Sequence, residues 1–265
     1  MIDPLSNWPQ SGPALLILIV TVAPAVASAQ DEEPLVTDRP DFTESAEAVD
    51  KGRVQLESGV TYDEVEEVTA WSLGEVLVRV GVAKKIEIRI GIDSYLDIET
   101  PTEKFSGMTN SSLGAKFELN QGGDGSPLGG AKMALIAQTT LPTGASVFRD
   151  IEVQPSLVWA LAWDLSTRIS LGTNLGLGLL SFKDVDVSEG SASVAFGFGL
   201  TDRWSTYAEF FGIFPLSDEG PNRAFFNAGL TYLISNNLQL DCRAGHGLNS
   251  FNPDYFVGAG VSKRW

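Results

Sequence analysis

The stretch GLTYLISNNLQLDCRAGHGLNSFNPDYFVGAGVSKRW, residues 229–265, contains the pattern that the rest of the chain repeats. Apolar residues alternate with polar or small ones over 229–234 and again over 238–244, and a tight polar turn at 235–237 separates the two runs. A period of two on both sides of a short turn predicts an antiparallel hairpin. The polar face carries charges of both signs, and the final strand ends on Trp265. An apolar face opposite a charged one favours a closed barrel with lipid outside and water inside.

The same alternation recurs along the chain, most clearly at 86–92, where isoleucines alternate with Glu87 and Arg89. One such run does not distinguish a soluble core from a lipid-facing surface. An even number of runs of this length, about twelve, suits tilted strands that cross a thin bilayer. We therefore predict an all-β fold, a single transmembrane antiparallel up-and-down β-barrel, over residues 51–265. The predicted strands are 53–63, 69–82, 86–98, 110–120, 131–141, 152–164, 167–181, 191–200, 203–214, 223–234, 238–247 and 254–265.

The connections between these strands alternate in length. Short turns are predicted at 83–85, 166–167, 201–203 and 235–237, and longer loops at 63–67, 99–108, 142–150, 182–190, 216–222 and 248–253. The connection 121–130 is the exception, because it is long but falls on the short-turn rim. Short turns on one rim and long loops on the other are typical of outer-membrane barrels, and this arrangement predicts that both termini are periplasmic.

The first fifty residues divide into two parts. Residues 14–23 are apolar and are followed by Ala27-Ser28-Ala29, so we interpret residues 1–29 as a signal peptide, although no Lys or Arg precedes the apolar run. Residues 30–50 are polar without a clear period and form either a periplasmic lead segment or a plug that folds back into the lumen. The plug candidates in this second part are Asp38, Arg39, Pro40, Asp41, Phe42 and Glu44.

The composition of the chain limits the partners and cofactors that we expect. The formal net charge of −16 argues against nucleic acid as a partner, because its phosphate backbone would be repelled. Cys242 has no second cysteine to pair with, and a small apolar-face residue is the simplest interpretation of it. No metal-ligand spacing and no cofactor motif is found, so we predict neither a metal nor a cofactor.

Four stretches resemble a known family of outer-membrane transporters, the one associated with the MetA pathway of phenol degradation. They are TDRPDFTES at 37–45, GRVQLESGVTY at 52–62, LPTG at 141–144 and PDYFVGAG at 253–260. The resemblance implies passive uptake of small compounds, aromatic or hydrophobic ones among them. It also implies contact with outer-membrane lipid and with the barrel insertion machinery through the C-terminal strand. Lys263 departs from the family pattern, which tends to have an apolar or aromatic residue there.

The inward face is the predicted working surface. Its mixed charges would line a water-filled wall or close the centre through pairs such as Arg79 with Glu87 and Arg89 with Glu75, and the sequence leaves both alternatives open. Any solute path is expected beside the glycine-rich seventh and eighth strands. The predicted lumen-lining residues are Glu57, Glu75, Arg79, Glu87, Arg89, Asp93, Lys116, Glu118, Lys132, Glu209, Asp241 and Arg243.

Two alternatives to a channel remain from the sequence. His246, with Ser250 and Asn249 nearby, would allow a phospholipase-like barrel hydrolase, although no G-x-S-x-G motif is found and a lone histidine at a strand end is more often a rim residue. The other alternative is a structural barrel that transports nothing. We predict a non-enzymatic outer-membrane channel.

Overall fold

The computed structural model describes residues 33–92, 94–149, 152–182, 185–216, 221–249 and 253–265, so the predicted signal peptide lies outside the described residues. One antiparallel sheet contains every strand that is described. The helical turn α1 (Pro127–Gly130) precedes β7, and no described helix is long and apolar enough to cross a membrane. The strands are β1 (Val54–Val65), β2 (Val68–Ala83), β3 (Ile86–Ile92), β4 (Tyr95–Glu99), β5 (Lys104–Met108), β6 (Ser111–Gln121), β7 (Lys132–Leu141), β8 (Gln154–Asp164), β9 (Ile169–Phe182), β10 (Val185–Gly199), β11 (Trp204–Pro215), β12 (Arg223–Ser235), β13 (Leu238–Gly247) and β14 (Tyr255–Arg264).

The sheet closes on itself through β1. This strand pairs with β2 on one side and with β14 on the other, so that Gln55 lies opposite both Arg79 and Arg264. The strands β3 and β4 both pair with β2, so together they form one interrupted span. In the same way β5 pairs with β4 and β6 with β3, so β5 and β6 together form the next interrupted span. The closed ring has twelve antiparallel spans, which confirms the predicted fold class.

The distribution of side chains is that of a barrel with an apolar exterior. Glu57 and Arg79 are 0% exposed, whereas Leu177 and Phe210 are 58% and 54% exposed. A soluble β-sandwich would bury the isoleucines of β3, but Ile92 is 49% exposed. Period-two alternation places every second residue outward, and in this ring the outward residues are the apolar ones. The prediction of an apolar outer face and a charged inner face is confirmed.

Three predicted loops are shorter in the structure than in the sequence prediction. Within 63–67 the chain turns only at 66–67; within 99–108 residues 104–108 form β5; and β10 begins at Val185, so that most of 182–190 is strand. Acidic residues, with Gly, Pro or Ser at 99–108 and 182–190, had suggested loops there. Glu64 nevertheless fits in a strand because the hydroxyls of Tyr62 and Tyr255 each donate to its carboxylate at 2.7 Å. The long connection 121–130 contains α1.

Aromatic rings lie near both rims. At the short-turn rim the rings of Trp204 and Tyr232 are 4.5 Å apart, and the Lys263 ammonium lies 5.9 Å from the ring of Trp265. At the long-loop rim Tyr62 contacts Trp71 and Tyr255. Amphipathic rings at two levels of an apolar exterior match the boundaries between lipid and water. The Lys263 ammonium next to an indole at the rim agrees with a snorkelling lysine.

Candidate functional site

Residues 33–50, here called the inner segment, lie inside the ring. Their contacts reach strands on every side: Leu35 N–H donates to Asn236 O next to β13, Thr43 N–H to Glu209 on β11, Ala48 N–H to Glu118 on β6 and Val49 N–H to Glu87 on β3. Ala46 and Val49 are 2% and 5% exposed. Residues 33–50 of the polar lead segment therefore lie in the barrel interior.

Most of the predicted inward residues are buried or half-buried there. Asp93 lies outside the described residues. Glu57, Arg79, Glu87, Arg89, Lys116, Glu209 and Asp241 are buried, and Glu75, Glu118, Lys132 and Arg243 are half-buried.

One side of the interior is cationic, and its arrangement follows from strand register. Arg79 on β2 lies directly opposite Arg89 on β3, and like charges at such positions destabilise a sheet unless anions separate them. Glu87 lies between them, with Oε1 at 2.9 Å from Arg79 Nε and 3.0 Å from Arg89 Nη1, and Glu57 Oε1 lies 2.9 Å from Arg79 Nη1. The predicted pair Arg79 with Glu87 forms, whereas the predicted pair of Arg89 with Glu75 is wrong, because this register turns Arg89 toward Glu87 and the inner segment.

Asp38 of the inner segment completes this arrangement. Its carboxylate lies 2.9 Å from Lys116 Nζ and 3.3 Å from Arg79 Nη1, and it also pairs with Arg89. The backbone N–H of Asp38 donates to both oxygens of Glu57, at 3.1 and 3.2 Å. We call Arg79, Arg89 and Lys116 the cationic cluster. Buried charges of this kind persist only when they are paired and hydrogen-bonded.

The opposite side, formed by β9 to β12, holds residues 42–44 by neutral groups, one carboxylate and an aromatic ring. Glu209 accepts from Phe42 N–H at 2.9 Å and from Thr43 N–H at 2.7 Å. Asn174 accepts from Glu44 N–H at 2.6 Å and donates to Glu44 O at 3.1 Å. The amide of Asn227 donates to Glu209 at 2.6 Å.

An aromatic stack lies beside these hydrogen bonds. The ring of Phe42 stacks on Phe211 with centroids 4.4 Å apart and planes 6° from parallel, and Phe211 stacks in turn on Phe225 at 4.5 Å and 10°. Sequence reasoning missed Phe211 and Phe225 as interior residues. They share the inward register of Glu209 and Asn227, so counting in twos from Glu209 would have found Phe211.

Arg39 is seated where two strands carry glycine. Gly59 on β1 pairs with Gly260 on β14, and a Cβ atom at either position would overlap the Arg39 guanidinium. The guanidinium lies 2.7 Å from Glu75 and 3.3 Å from Asp241. Glycine at this pair of positions leaves room for a charged side chain to approach the backbone closely.

Two carboxyl groups of the inner segment differ in acidity. Desolvation acts to raise the pKa of Asp38, but the charges of Arg79, Lys116 and Arg89 outweigh it and hold that pKa well below its usual range. For Glu44 desolvation is the larger effect and raises the pKa to about 7 against the opposing charge of Arg89. Since the pKa of Glu44 is raised, its contribution to docking is greatest in acid and is lost as the pH rises through about 7.

The interior is not completely filled. A cavity of about 440 Å³ lies at the short-turn rim between the inner segment and the wall, bounded by Thr37, Asp41, Ser170 and Tyr207 among others. On the glycine-rich spans, a Cβ at Gly178 would meet open space, whereas one at Gly172 would lie 3.1 Å from Thr43. The expectation of a solute path along these spans therefore stays a prediction.

His246 lies on the outward register of β13, with Leu240 and Cys242. Its Nδ1 is 2.9 Å from Gly247 O, and its ring is 6.1 Å from that of Phe226. The amide of Asn249 donates to Asn222 O, and Ser250 lies outside the described residues. No group of three or more His, Cys, Asp or Glu side chains suited to a metal ion is present among the residues that are described.

Several solved outer-membrane barrels have a similar fold. An outer-membrane channel from Pseudomonas putida F1 matches with a TM-score of 0.64 at 10% identity, over 83% of this chain and 98% of that chain. The NanC porin matches with a TM-score of 0.57 at 8% identity, over 78% and 98%. The KdgM porin in complex with disordered oligogalacturonate matches with a TM-score of 0.50 at 8% identity, over 80% and 98%. Identities this low establish the fold alone.

No curated protein matches the sequence. A family profile does match, and it covers residues 37–265, from the inner segment to the last residue. The match includes all four stretches on which the sequence resemblance was based. The protein belongs to the family described as "Putative MetA-pathway of phenol degradation".

Proposed function

We propose that this protein is a passive channel of the bacterial outer membrane for small compounds, aromatic or hydrophobic ones among them. The observation that carries the proposal is the interior of the ring. Its wall is lined by charged and polar groups, and the inner segment binds to this wall largely through hydrogen bonds and ion pairs. When the inner segment leaves, such a wall is hydrated and forms a path. In this account the inner segment is the plug.

Release of the plug does not require unfolding of the ring. The contacts of residues 42–44 with Glu209 and Asn174 are hydrogen bonds that water can replace. The C-terminal end of the inner segment is attached to the wall, because Val49 N–H donates to Glu87 at 2.7 Å and β1 begins a few residues after Asp50. We infer that residues 35–46 swing out toward the short-turn rim while residues 49–53 stay attached.

The aromatic stack supports aromatic solutes within this class. Phe42 covers one face of Phe211, and its departure leaves that face open inside the lumen. Another planar ring of similar size gains the same offset or stacked contact there, which contributes about 0.5–1.5 kcal/mol beyond burial. The family description, which refers to phenol degradation, agrees with such a solute.

The proposed orientation places both termini in the periplasm and the long-loop rim outside the cell. The apolar exterior contacts outer-membrane lipid, and β14, which carries Lys263 and ends next to Trp265, is the strand that the barrel insertion machinery recognises. The short turns at one rim and the two levels of aromatic rings support this orientation.

Deletion of residues 33–50 tests the proposal. In planar bilayers the full-length protein is expected to conduct weakly, and the deletion variant is expected to conduct at least about tenfold more, because a hydrated lumen replaces the plug. Heat-dependent mobility on detergent gels confirms that both proteins are folded barrels. Absence of conductance in a folded deletion variant would contradict the proposal and favour a structural barrel. His246→Ala is the matched control and leaves the flux unchanged if the protein is a channel.

A further inference from the structure

The carboxylate of Asp38 is held as a bound ligand would be. Lys116 Nζ lies 2.9 and 3.0 Å from its two oxygens, Arg79 and Arg89 pair with Oδ2, and Ser45 donates to Oδ1 through its N–H at 2.9 Å and its hydroxyl at 2.6 Å. The three cations that surround it are 0–2% exposed. All of these partners except Ser45 belong to the barrel wall.

The wall does not neutralise the cationic cluster by itself. Without the inner segment, Glu57 and Glu87 remain as its anions, so three positive charges face two negative ones. On the wall, Lys116 then keeps an ion pair with Glu87 at 4.0 Å. Such a site is partly desolvated and keeps one uncompensated positive charge, and its ammonium and guanidinium donors point to the place that the Asp38 carboxylate occupied. It therefore suits an anion with two coplanar oxygens.

We propose that the cationic cluster is a binding site for small organic monocarboxylates, that Asp38 is its internal ligand, and that a free carboxylate which takes the place of Asp38 stabilises the unplugged channel. This inference rests on the proposed function, since it assigns the signal that opens the plug. A ligand that binds one of two states shifts the equilibrium by its difference in affinity. The free carboxylate binds where Asp38 has left, so it favours the open state alone.

Asp38 and a free carboxylate compete for the cationic cluster, and the tether favours Asp38 without preventing its displacement. Asp38 is tethered, so its effective concentration at the cluster is on the order of millimolar, and a free monocarboxylate competes in that range. Replacing Asp38 by Asn keeps the size of the side chain and removes its charge. Because hydrogen bonds to a charged acceptor are about twice as strong as neutral ones, the tethered competitor is then weakened.

The experiment uses full-length protein and three probes: benzoate, cyclohexanecarboxylate and benzyl alcohol. The two carboxylates are expected to raise the open fraction in planar bilayers equally, by about tenfold at saturation, while benzyl alcohol has no effect. In detergent, the affinity for benzoate is expected to rise about tenfold in Asp38→Asn and to be lost in Lys116→Met. Equal effects of benzoate and benzyl alcohol, or an unchanged benzoate affinity in folded Asp38→Asn, would overturn the proposal.

The two proposals fail separately. If the deletion of residues 33–50 gives no conductance but full-length protein binds benzoate in competition with Asp38, the channel is wrong and the carboxylate site stands. If the deletion opens the channel but benzoate acts no better than benzyl alcohol, the plug stands and the carboxylate site is wrong. Should Asp38→Asn or Lys116→Met fail to fold, the comparison of the three probes on the unmodified chain decides the matter.

Discussion

The two sides of the interior hold the same segment by different forces. On β2, β3 and β6 the cationic cluster binds Asp38 by buried ion pairs, and Arg89 also lies 2.7 Å from the carboxylate of Glu44. On β9 to β12 residues 42 and 43 are held by hydrogen bonds and one aromatic stack. Buried ion pairs contribute little net stability but cost several kcal/mol when one partner is removed. Replacing a hydrogen bond to the wall by hydrogen bonds to water costs only about 1 kcal/mol. The comparison indicates that unplugging begins at residues 42 and 43 and ends at the ion-paired Glu44 and Asp38.

Arg79→Met is expected to have the largest effect on this comparison. Arg79 pairs with Glu57, Glu87 and Asp38, so its removal leaves buried carboxylates without their shared cation. The cost to the free energy of unfolding is about 3–5 kcal/mol. Urea unfolding in detergent micelles measures it. Lys104→Met, on an exposed pair with Asp97, is the control and leaves the urea midpoint unchanged. Equal midpoints for the two variants would contradict the ion-pair account.

Glu209→Gln is expected to loosen the other side of the interior without unfolding the barrel. The carboxylate accepts from Phe42 N–H and Thr43 N–H, and a glutamine keeps one acceptor oxygen while losing the charge. The loss is about 1.5–3 kcal/mol. Hydrogen exchange at these two amides should therefore accelerate at least about tenfold. Glu118→Gln, which changes the acceptor of the Ala48 N–H hydrogen bond, is the matched control. Acceleration at Ala48 in Glu209→Gln would show that the two sides do not open separately.

Phe42→Leu is expected to have a smaller effect, because it removes a stacking contact and keeps an apolar side chain. A double-mutant cycle with Phe211→Leu should give a coupling free energy of about 0.5–1.5 kcal/mol for docking of the inner segment. The ring pair Phe210 with Phe226 lies on the outward register, so Phe226→Leu serves as control and leaves docking unchanged. A coupling free energy of zero would remove the aromatic stack from the account.

Gly260→Ala is expected to have the smallest effect. The added methyl group displaces the Arg39 guanidinium, which is flexible, so the barrel keeps its stability while the ion pairs of Arg39 with Glu75 and Asp241 weaken. Protease cleavage within the inner segment should become up to about fivefold faster. Gly178→Ala points into open space and should leave cleavage unchanged. Equal rates for both variants would show that Arg39 does not hold the plug.

The barrel was predictable from the sequence because period-two alternation and an apolar outer face are local properties. The isoleucines of β3, the short turns and the count of spans all follow from the order of residues. The three misplaced loops share one cause. Acidic residues, together with Gly, Pro or Ser at 99–108 and 182–190, were taken as loop signals, but such residues also occur in strands. The hydroxyls of Tyr62 and Tyr255, for example, keep Glu64 in a strand.

The site was predictable only in part because it depends on register and on contacts distant in sequence. The inward charges follow from alternation, but that Arg79 faces Arg89 follows from the pairing of β2 with β3. Asp38 and Lys116 are separated by 78 positions, and no local pattern indicates that their side chains meet. The sequence predicted a plug or a periplasmic arm with equal support, since a polar segment without periodicity fits both.

The central claim is that residues 35–46 of the inner segment must leave the interior for the channel to conduct. The Thr43 and Ser193 hydroxyl oxygens are 2.8 Å apart, so a disulfide between Thr43→Cys and Ser193→Cys, in a Cys242→Ser background, would tie the plug to β10. Conductance of this variant in planar bilayers, before and after reduction, is the most direct measurement. The account predicts no opening while the disulfide is intact, with or without benzoate, and recovery of the opening seen in the unmodified protein after reduction. Equal conductance of the oxidised and reduced forms would contradict it.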